Sequence, residues 1–558
     1  MQPIAILKHI KSKFNTSISS FSFIAFYLAF VLTVNNFNFW SNLYLLNLSN
    51  LSVFAKLFTF LLLLTGSVYF ILLWLLGINT KLLKCTLIIV TVASSIAKYF
   101  TDTYNVYIDE SMIDNILHTD SKEASNLFSF GLIFYVLLLG VLPSFLIYKA
   151  KIKRAQKSIL SYLLKGLVIT LTLLIVLVIT FIVFSKEVIT FGRTNKNILD
   201  KSIPYNYIVN PYYYIKKKII KSQEIQAKPK IAIQLSRSQG KSQKSKIAIL
   251  IIGETARRDN FSLYGYKEQT NPLLSKQDLL IFNNATSCGV NTAVSVPCIF
   301  YPNGSEEFRN NQKNYKSYIS YLTQIKDLEI LWYDNNFGGC YGICKDAIVT
   351  NTQAKNDKNY CSSGECLDEI LTQNLEADVS KVISTNKDAL IVLHQNGSHG
   401  PLYYKRYPKE FAKFFPYCKS PNPQDCTRQE LINAYNNTIL YSDFVIDKTI
   451  KILQKFSKEE ILLIYASDHG ESLGENRMYL HGMPYKIAPK EQKEIPLIVW
   501  LSKKVLLKYN KECLVETLKD DHSHDNIINT LLGFFNISSP FYKQKLDLLN
   551  STKCQNAN

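Results

Sequence analysis

In the second half of the chain, acidic and imidazole side chains recur at the ends of short apolar runs. Glu254 follows KIAILIIG, His399 lies in the loop after DALIVLH, Asp468 and His469 follow EILLIYAS, and His481 sits in the next loop. Carboxylates and imidazoles that converge are the ligand set zinc prefers, with two or three protein ligands per ion and a position left open for chemistry. Any one of them alone reads as a cap or a surface residue; five together read as a metal site. In the same topology lies CGVNTAVSVPC, whose flanking cysteines could close a disulfide around two hydroxyls, Thr292 and Ser295. A hydroxyl is a poor nucleophile near its free pKa and needs a base or a metal to become an alkoxide. From the loop alone, both hydroxyls also read as ordinary polar loop residues.

The elements that would position these groups are legible from texture. From Lys246 onward, the runs KIAILIIG, LEILWYD, DALIVLH, EILLIYAS and EIPLIVW are separated by longer polar segments with helical spacing. This alternation predicts a doubly wound α/β domain with a mainly parallel central sheet, whose sites gather at the carboxyl ends of the strands. Of the 11 cysteines, eight fall in close pairs: Cys288 with Cys298, Cys340 with Cys344, Cys361 with Cys366 and Cys418 with Cys426. Their spacings do not follow the C-x-x-C pattern of structural zinc sites, so disulfides are the better reading, and disulfides require an oxidising compartment. Cys513 and Cys554 could pair or stay free.

The first half has a different character. Five apolar stretches, near Phe21–Phe39, Phe54–Leu76, Leu82–Phe100, Leu127–Tyr148 and Leu160–Phe184, reach the roughly 20 residues needed to cross a hydrocarbon core. Runs such as LFTFLLLLTGSVYFILLWLLG carry no polar stripe, which argues against core helices of a soluble fold. Lys8, Lys11 and Lys13, then Lys81 and Lys84, then Lys149, Lys151, Lys153, Arg154 and Lys157 occupy alternate loops, whereas Thr101–Asn126 is acidic. The positive-inside rule therefore predicts a cytoplasmic N-terminus and a periplasmic second half. The expected domains are 1–185, a five-helix transmembrane domain; 186–245, a basic interfacial linker; and 246–558, a periplasmic zinc-dependent catalytic domain.

The linker carries Lys216, Lys217, Lys218, Lys221, Lys228, Lys230, Arg237, Lys241 and Lys244, with Lys246 at its end and Tyr212, Tyr213 and Tyr214 beside the lysine run. A solvated connector and a surface lying on anionic lipid both fit. The 558 residues carry 63 basic and 44 acidic side chains, a net charge of +19, yet a mean hydropathy of +0.02. The average describes neither half. The 34 Tyr and 32 Phe exclude a long disordered chain, and the excess charge clusters where the chain meets lipid, so no nucleic-acid partner is expected.

Taken together and in order, IIGETARRDNFSLYGY, CGVNTAVSVPC, GSHGPLYYKRYP, ASDHGESLGEN and SHDN behind five spans resemble the phosphoethanolamine transferases that decorate lipid A, a group that includes the mobile colistin-resistance enzymes. The resemblance covers essentially the whole chain. It implies an alkaline phosphatase/sulfatase-like catalytic domain, and it selects Thr292 over Ser295 as the nucleophile that carries phosphoethanolamine. Glu254, Asp468 and His469 match the ligands of the zinc that activates it, with Thr292 itself as a fourth. His399 and His481 match residues near the transferred group, as ligands of a second zinc or as proton donors. Asn115, Thr119 and Glu123 match the family's lipid-facing segment; at i, i+4 and i+8 they would share one helix face.

One departure follows from the resemblance. The family commonly carries a Lys between the cysteines matching Cys340 and Cys344, and a Ser just before them. Here the segment reads NNFGGCYGIC, with Tyr341 in the Lys position and Phe337 or Gly338 in place of the Ser. A cation expected to steady a phosphate is lost. The implied activity is transfer from phosphatidylethanolamine to a lipid A phosphate through a covalent threonine, releasing diacylglycerol, by an inner-membrane monomer whose product should confer polymyxin resistance. Transfer to a core sugar or surface protein is the alternative acceptor chemistry, and a tethered phosphodiesterase or sulfatase is the alternative class. A sulfatase should show a C-x-P-x-R motif, which CGVNTAVSVPC lacks, and a non-catalytic sensor should have lost its metal set.

Overall fold

The apolar runs of the N-terminal half fold as helices, as they must where no water satisfies the backbone. The computed structural model describes residues 17–47, 50–119, 121–153, 159–194, 198–227, 233–237, 245–310, 315–336, 338–355, 357–362, 365–549 and 554. The chain divides into two units, Met1–Glu110 with Ser129–Tyr213, and Ser111–Phe128 with Tyr214–Asn558.

In the first unit, four helices among the described residues are long and apolar enough to cross a membrane: Leu51–Leu76, Thr80–Tyr104, Phe130–Lys149 and Ile159–Val183. The stretch expected as the first span is not one straight helix. Ser20–Asn35 and Phe37–Leu46 meet at 55°, making a fifth crossing only if the bent pair spans as one. The cause is Asn36. Its Nδ2 donates to the carbonyls of Val31 at 2.8 Å and Ile203 at 2.6 Å, and its Oδ1 accepts from the Ile203 N–H at 2.8 Å. A side chain that takes over partners of the backbone ladder bends the helix there. Within the stretch read as a linker, the described chain is helical over Ser185–Thr194 and Tyr205–Ala227.

The second unit is built on eight strands: β1 (Lys246–Gly253), β2 (Leu279–Thr286), β3 (Leu328–Asp334), β4 (Ile348–Asn351), β5 (Asp388–His394), β6 (Glu460–Ser467), β7 (Glu494–Leu501) and β8 (Asp521–Ser523). Their order in the sheet is β8-β2-β7-β6-β1-β5-β3-β4. All neighbours are parallel except β7, which runs antiparallel to both β6 and β2. Every residue of β1 is buried because both faces of the sheet are covered. Ala248, Leu250 and Ile252 pack with Trp332 and Val499 on one face, while Ile247, Ile249 and Ile251 pack with Val379 and Ile446 on the other. Lys246, where the basic linker gives way to the first apolar run, is the first residue of β1. It is buried, and its Nζ donates to the Phe534 carbonyl at 2.7 Å.

Cys288–Cys298, Cys340–Cys344, Cys361–Cys366 and Cys418–Cys426 are disulfides, and so is Cys513–Cys554. Of the residues read from sequence, Lys8, Lys11, Lys13, Arg154, Lys157, Lys228, Lys230, Lys241, Lys244 and Phe337 lie outside the described residues, as do the side chains of Lys221, Arg237 and Glu123.

Candidate active site

Register brings the first ligands together. β1 and β6 are parallel neighbours with Gly253 opposite Ser467, so Glu254 and Asp468 leave the sheet side by side. Glu254, Asp468 and His469 are each fully buried, and one ligand atom from each lies within 4.8 Å of the others. The His469 Nδ1–H donates to the Gly470 carbonyl at 2.9 Å, leaving the lone pair on Nε2. That nitrogen faces Asp468 Oδ2 at 3.2 Å, Thr292 Oγ1 at 3.4 Å and Glu254 Oε1 at 3.5 Å. Burial holds the imidazole well below its ordinary pKa and raises that of Asp468. Asp468 Oδ1 accepts from the Thr255 and His469 N–H groups at 3.1 and 2.7 Å, whereas Oδ2 accepts no hydrogen bond among the described residues. A buried cluster of acceptors with an orphaned carboxylate oxygen fits a divalent cation.

The loop before the helix Thr292–Ile299 separates the two candidate hydroxyls. Thr292 opens that helix, and Asn291 caps it by accepting from the Val294 N–H at 2.9 Å. Thr292 Oγ1 donates to Glu254, lying 3.1 Å from Oε2 and 3.2 Å from Oε1. Ser295 Oγ instead accepts from the Gly289 N–H at 3.1 Å and braces the loop inside the Cys288–Cys298 disulfide. Only Thr292 faces the carboxylate, at a helix N-terminus that favours negative charge.

Around this pair sits a second layer. Asn336 Nδ2 donates to Glu254 Oε2 at 2.7 Å and to the Gln395 carbonyl at 3.1 Å. Gly397, at φ 51°, passes so close to Glu254 that a Cβ would meet its backbone at 2.6 Å. Thr255 is left-handed at φ 50°, and its carbonyl accepts from the Tyr435 hydroxyl at 2.6 Å. The rings of His469 and His481 lie 4.3 Å apart, and those of His399 and His481 5.7 Å apart. His481 Nδ1–H donates to Glu471 Oε2 at 2.8 Å, and Glu471 Oε1 accepts from the Tyr403 hydroxyl at 2.6 Å. Arg406 donates through Nε to the His399 carbonyl at 2.8 Å.

Above Thr292 opens a cavity of about 50 Å³ that Asn115, Thr119, His399 and His481 help to line. The continuous helix expected through Asn115, Thr119 and Glu123 does not form. One helix, Glu110–His118, ends before Thr119, and a second begins at Ser121. Thr119 bonds back to the Asn115 carbonyl through both its N–H, at 2.8 Å, and its hydroxyl, at 2.9 Å.

Residues 246–537 match the sulfatase family, and residues 67–219 match the family described as phosphoethanolamine transferase EptA/EptB. Phosphoethanolamine transferase EptA of Escherichia coli K12 is 37% identical over 475 residues, 84% of this chain and 85% of that protein. The chain belongs to the phosphoethanolamine transferase family. Phosphatidylethanolamine transferase Mcr-1 of Escherichia coli is 34% identical over 477 residues, 83% of this chain and 85% of its own. The solved integral membrane lipooligosaccharide phosphoethanolamine transferase A from Neisseria meningitidis aligns with a TM-score of 0.87 at 30% identity, over 97% of this chain and 100% of that one. With its apolar helices, this family member is a multi-pass integral membrane protein. Sequence reading did not single out Glu471, Asn336, Tyr403 or Arg406. Glu471 stands in the quoted run ASDHGESLGEN, and a carboxylate two residues beyond His469 was the one available signal.

Proposed function

We propose that this transferase moves phosphoethanolamine from phosphatidylethanolamine to a phosphate of lipid A in the inner membrane, with the catalytic part of the chain in the periplasm. The observation that carries the reading is the Thr292 hydroxyl held 3.1 Å from Glu254, in a buried donor set that borders a small cavity lined also by His399 and His481. Glu254, Thr292, Asp468 and His469 would hold zinc, which when bound lowers the pKa of a coordinated hydroxyl and offsets negative charge on phosphate. The expected boundaries stand as part of this proposal: a membrane anchor to residue 185, an interfacial stretch to 245 and the catalytic part from 246.

In the first half-reaction the Thr292 Oγ–P bond forms and the P–O bond to diacylglycerol breaks. The Thr292 proton passes to Glu254, to which the hydroxyl already donates, and the departing diacylglycerol oxygen takes a proton from the His399–His481 pair. Glu471 fixes the His481 tautomer by accepting from Nδ1–H, leaving Nε2 as the exchangeable nitrogen. In the second half, a lipid A phosphate oxygen attacks phosphorus, the Oγ–P bond breaks and Thr292 regains its proton from Glu254. The acceptor phosphate returns a proton to the imidazole. Two half-reactions through one adduct give ping-pong kinetics.

Masking a lipid A phosphate with an ammonium lowers envelope negative charge, so expression in a polymyxin-sensitive host should raise the inhibitory concentration. Mass spectrometry of that host's lipid A should show added phosphoethanolamine, and Thr292→Ala should abolish both effects. Modified lipid A from the Thr292→Ala strain would overturn the nucleophile; modification of core sugar or envelope protein alone would overturn the acceptor.

A further inference from the structure

One side chain in the cavity above Thr292 has no part in the reaction as written. Tyr341 lines that cavity beside Asn336 and Gly338, on the loop closed by the Cys340–Cys344 disulfide. Its backbone is left-handed at φ 49°, between Gly339 at 62° and Gly342 at 77°. A residue with a Cβ holds that conformation only where its surroundings over-determine it, and such residues cluster at functional sites. Here the disulfide closes the loop, and the ring packs partly buried against the core cluster that contains Trp332. The phenol lies over Gly338, where a Cβ would collide with the Tyr341 hydroxyl. The Gly338 N–H donates to Asn336 Oδ1 at 2.9 Å, and the Asn336 amide donates to Glu254 at 2.7 Å. One chain of contacts thus sets the phenolic oxygen relative to the Glu254–Thr292 pair.

A transferred phosphoryl group spreads negative charge over its equatorial oxygens. None of the described residues lining this cavity is Lys or Arg, so the charge that the proposed zinc and the His399–His481 pair leave unmet falls to neutral donors. We infer that Tyr341 is a catalytic residue whose phenolic O–H donates a hydrogen bond to an equatorial oxygen of the transferred phosphoryl group, more strongly in the transition state than in the bound lipid. The inference rests on the proposed transfer through Thr292.

The test uses the full-length protein in detergent, with fluorescently tagged phosphatidylethanolamine as donor and release of tagged diacylglycerol as readout. Tyr341→Phe removes the O–H and keeps the ring. It should lower kcat by about tenfold or more while KM stays within about twofold, because the lost bond belongs to the transition state. Melting temperature and zinc content should not change. Tyr341→Ala should lose no less, and Tyr341→Lys, which restores a donor on a different scaffold, should recover activity above the Phe variant. A Phe variant with wild-type kcat overturns the inference, as does a Lys variant no better than Phe. If Thr292→Ala releases diacylglycerol as fast as wild type, the transfer reading itself has failed; if Thr292→Ala is inactive and Tyr341→Phe is not, only the Tyr341 assignment has.

Discussion

The candidate metal cluster depends on residues outside it. Glu254 receives the Asn336 amide at 2.7 Å, which orients its carboxylate toward Asp468 and His469. Partners of this kind are commonly worth about 10- to 100-fold in metal affinity. Asn336→Ala should therefore lose zinc at a chelator concentration about tenfold lower than wild type does, measured by metal content after dialysis, while the five disulfides still form. Identical retention would show that Asn336 does not orient Glu254. The candidate ligands Glu254, Asp468 and His469 were legible in the sequence because each follows an apolar run that reads as a buried strand. Asn336 and Glu471 were not, since an amide or carboxylate in a loop gains its meaning from a neighbour far along the chain: 82 positions separate Asn336 from Glu254.

At the scale of elements, the segment carrying Asn115 and Thr119 is tied down by a polar relay. Asn126 Nδ2 donates to Glu365 Oε1 at 2.9 Å, Glu365 Oε2 accepts from Arg406 Nη1 at 2.8 Å, and Arg406 Nε reaches the His399 carbonyl. The Arg406 side chain is 1% exposed, so losing Glu365 would remove a charged hydrogen-bond partner from a buried guanidinium, a change that typically costs about 1.5–3 kcal/mol. Glu365→Ala should lower the melting temperature markedly. Asn126→Ala, which removes one hydrogen bond of about 1 kcal/mol, should cost little stability but raise KM for the lipid donor. Equal effects of the two variants on melting temperature would refute this division of roles. Five of the eight strands coincide with apolar runs read from sequence, because they are buried on both faces. β2, β4 and β8 escaped notice: β4 and β8 are short and lie at the sheet's edges, and the apolar run of β2 stops after four residues at Asn283 and Asn284. The bend at Asn36 and the break at Thr119 escaped for a common reason. At each, a side chain bonds backbone within its own unit, which periodicity does not register.

For the whole molecule, the proposed chemistry asks that two lipids meet one buried hydroxyl. Anchoring the catalytic part at the membrane turns an encounter in three dimensions into one on a surface and raises effective concentration. The anchor does this only if it delivers the site to the leaflet where the acceptor resides, which makes orientation a functional property. The charge pattern predicts that orientation: the basic loops at Lys81–Lys84 and Lys149–Lys157 alternate with the acidic stretch Thr101–Asn126, and the positive-inside rule assigns basic loops to the cytoplasmic side. The bent first pair bears directly on this, because a re-entrant Ser20–Leu46 would shift the N-terminus to the periplasm without moving anything after Leu51. Alkaline phosphatase, which is active only when exported, should report high activity fused after Lys186 and low activity fused after Lys153, and the opposite pattern would invert the topology. A cysteine placed before Ile18 separates the remaining cases. Protection from a membrane-impermeant thiol reagent in intact cells means that the bent pair crosses as one span, and labelling means that it turns back.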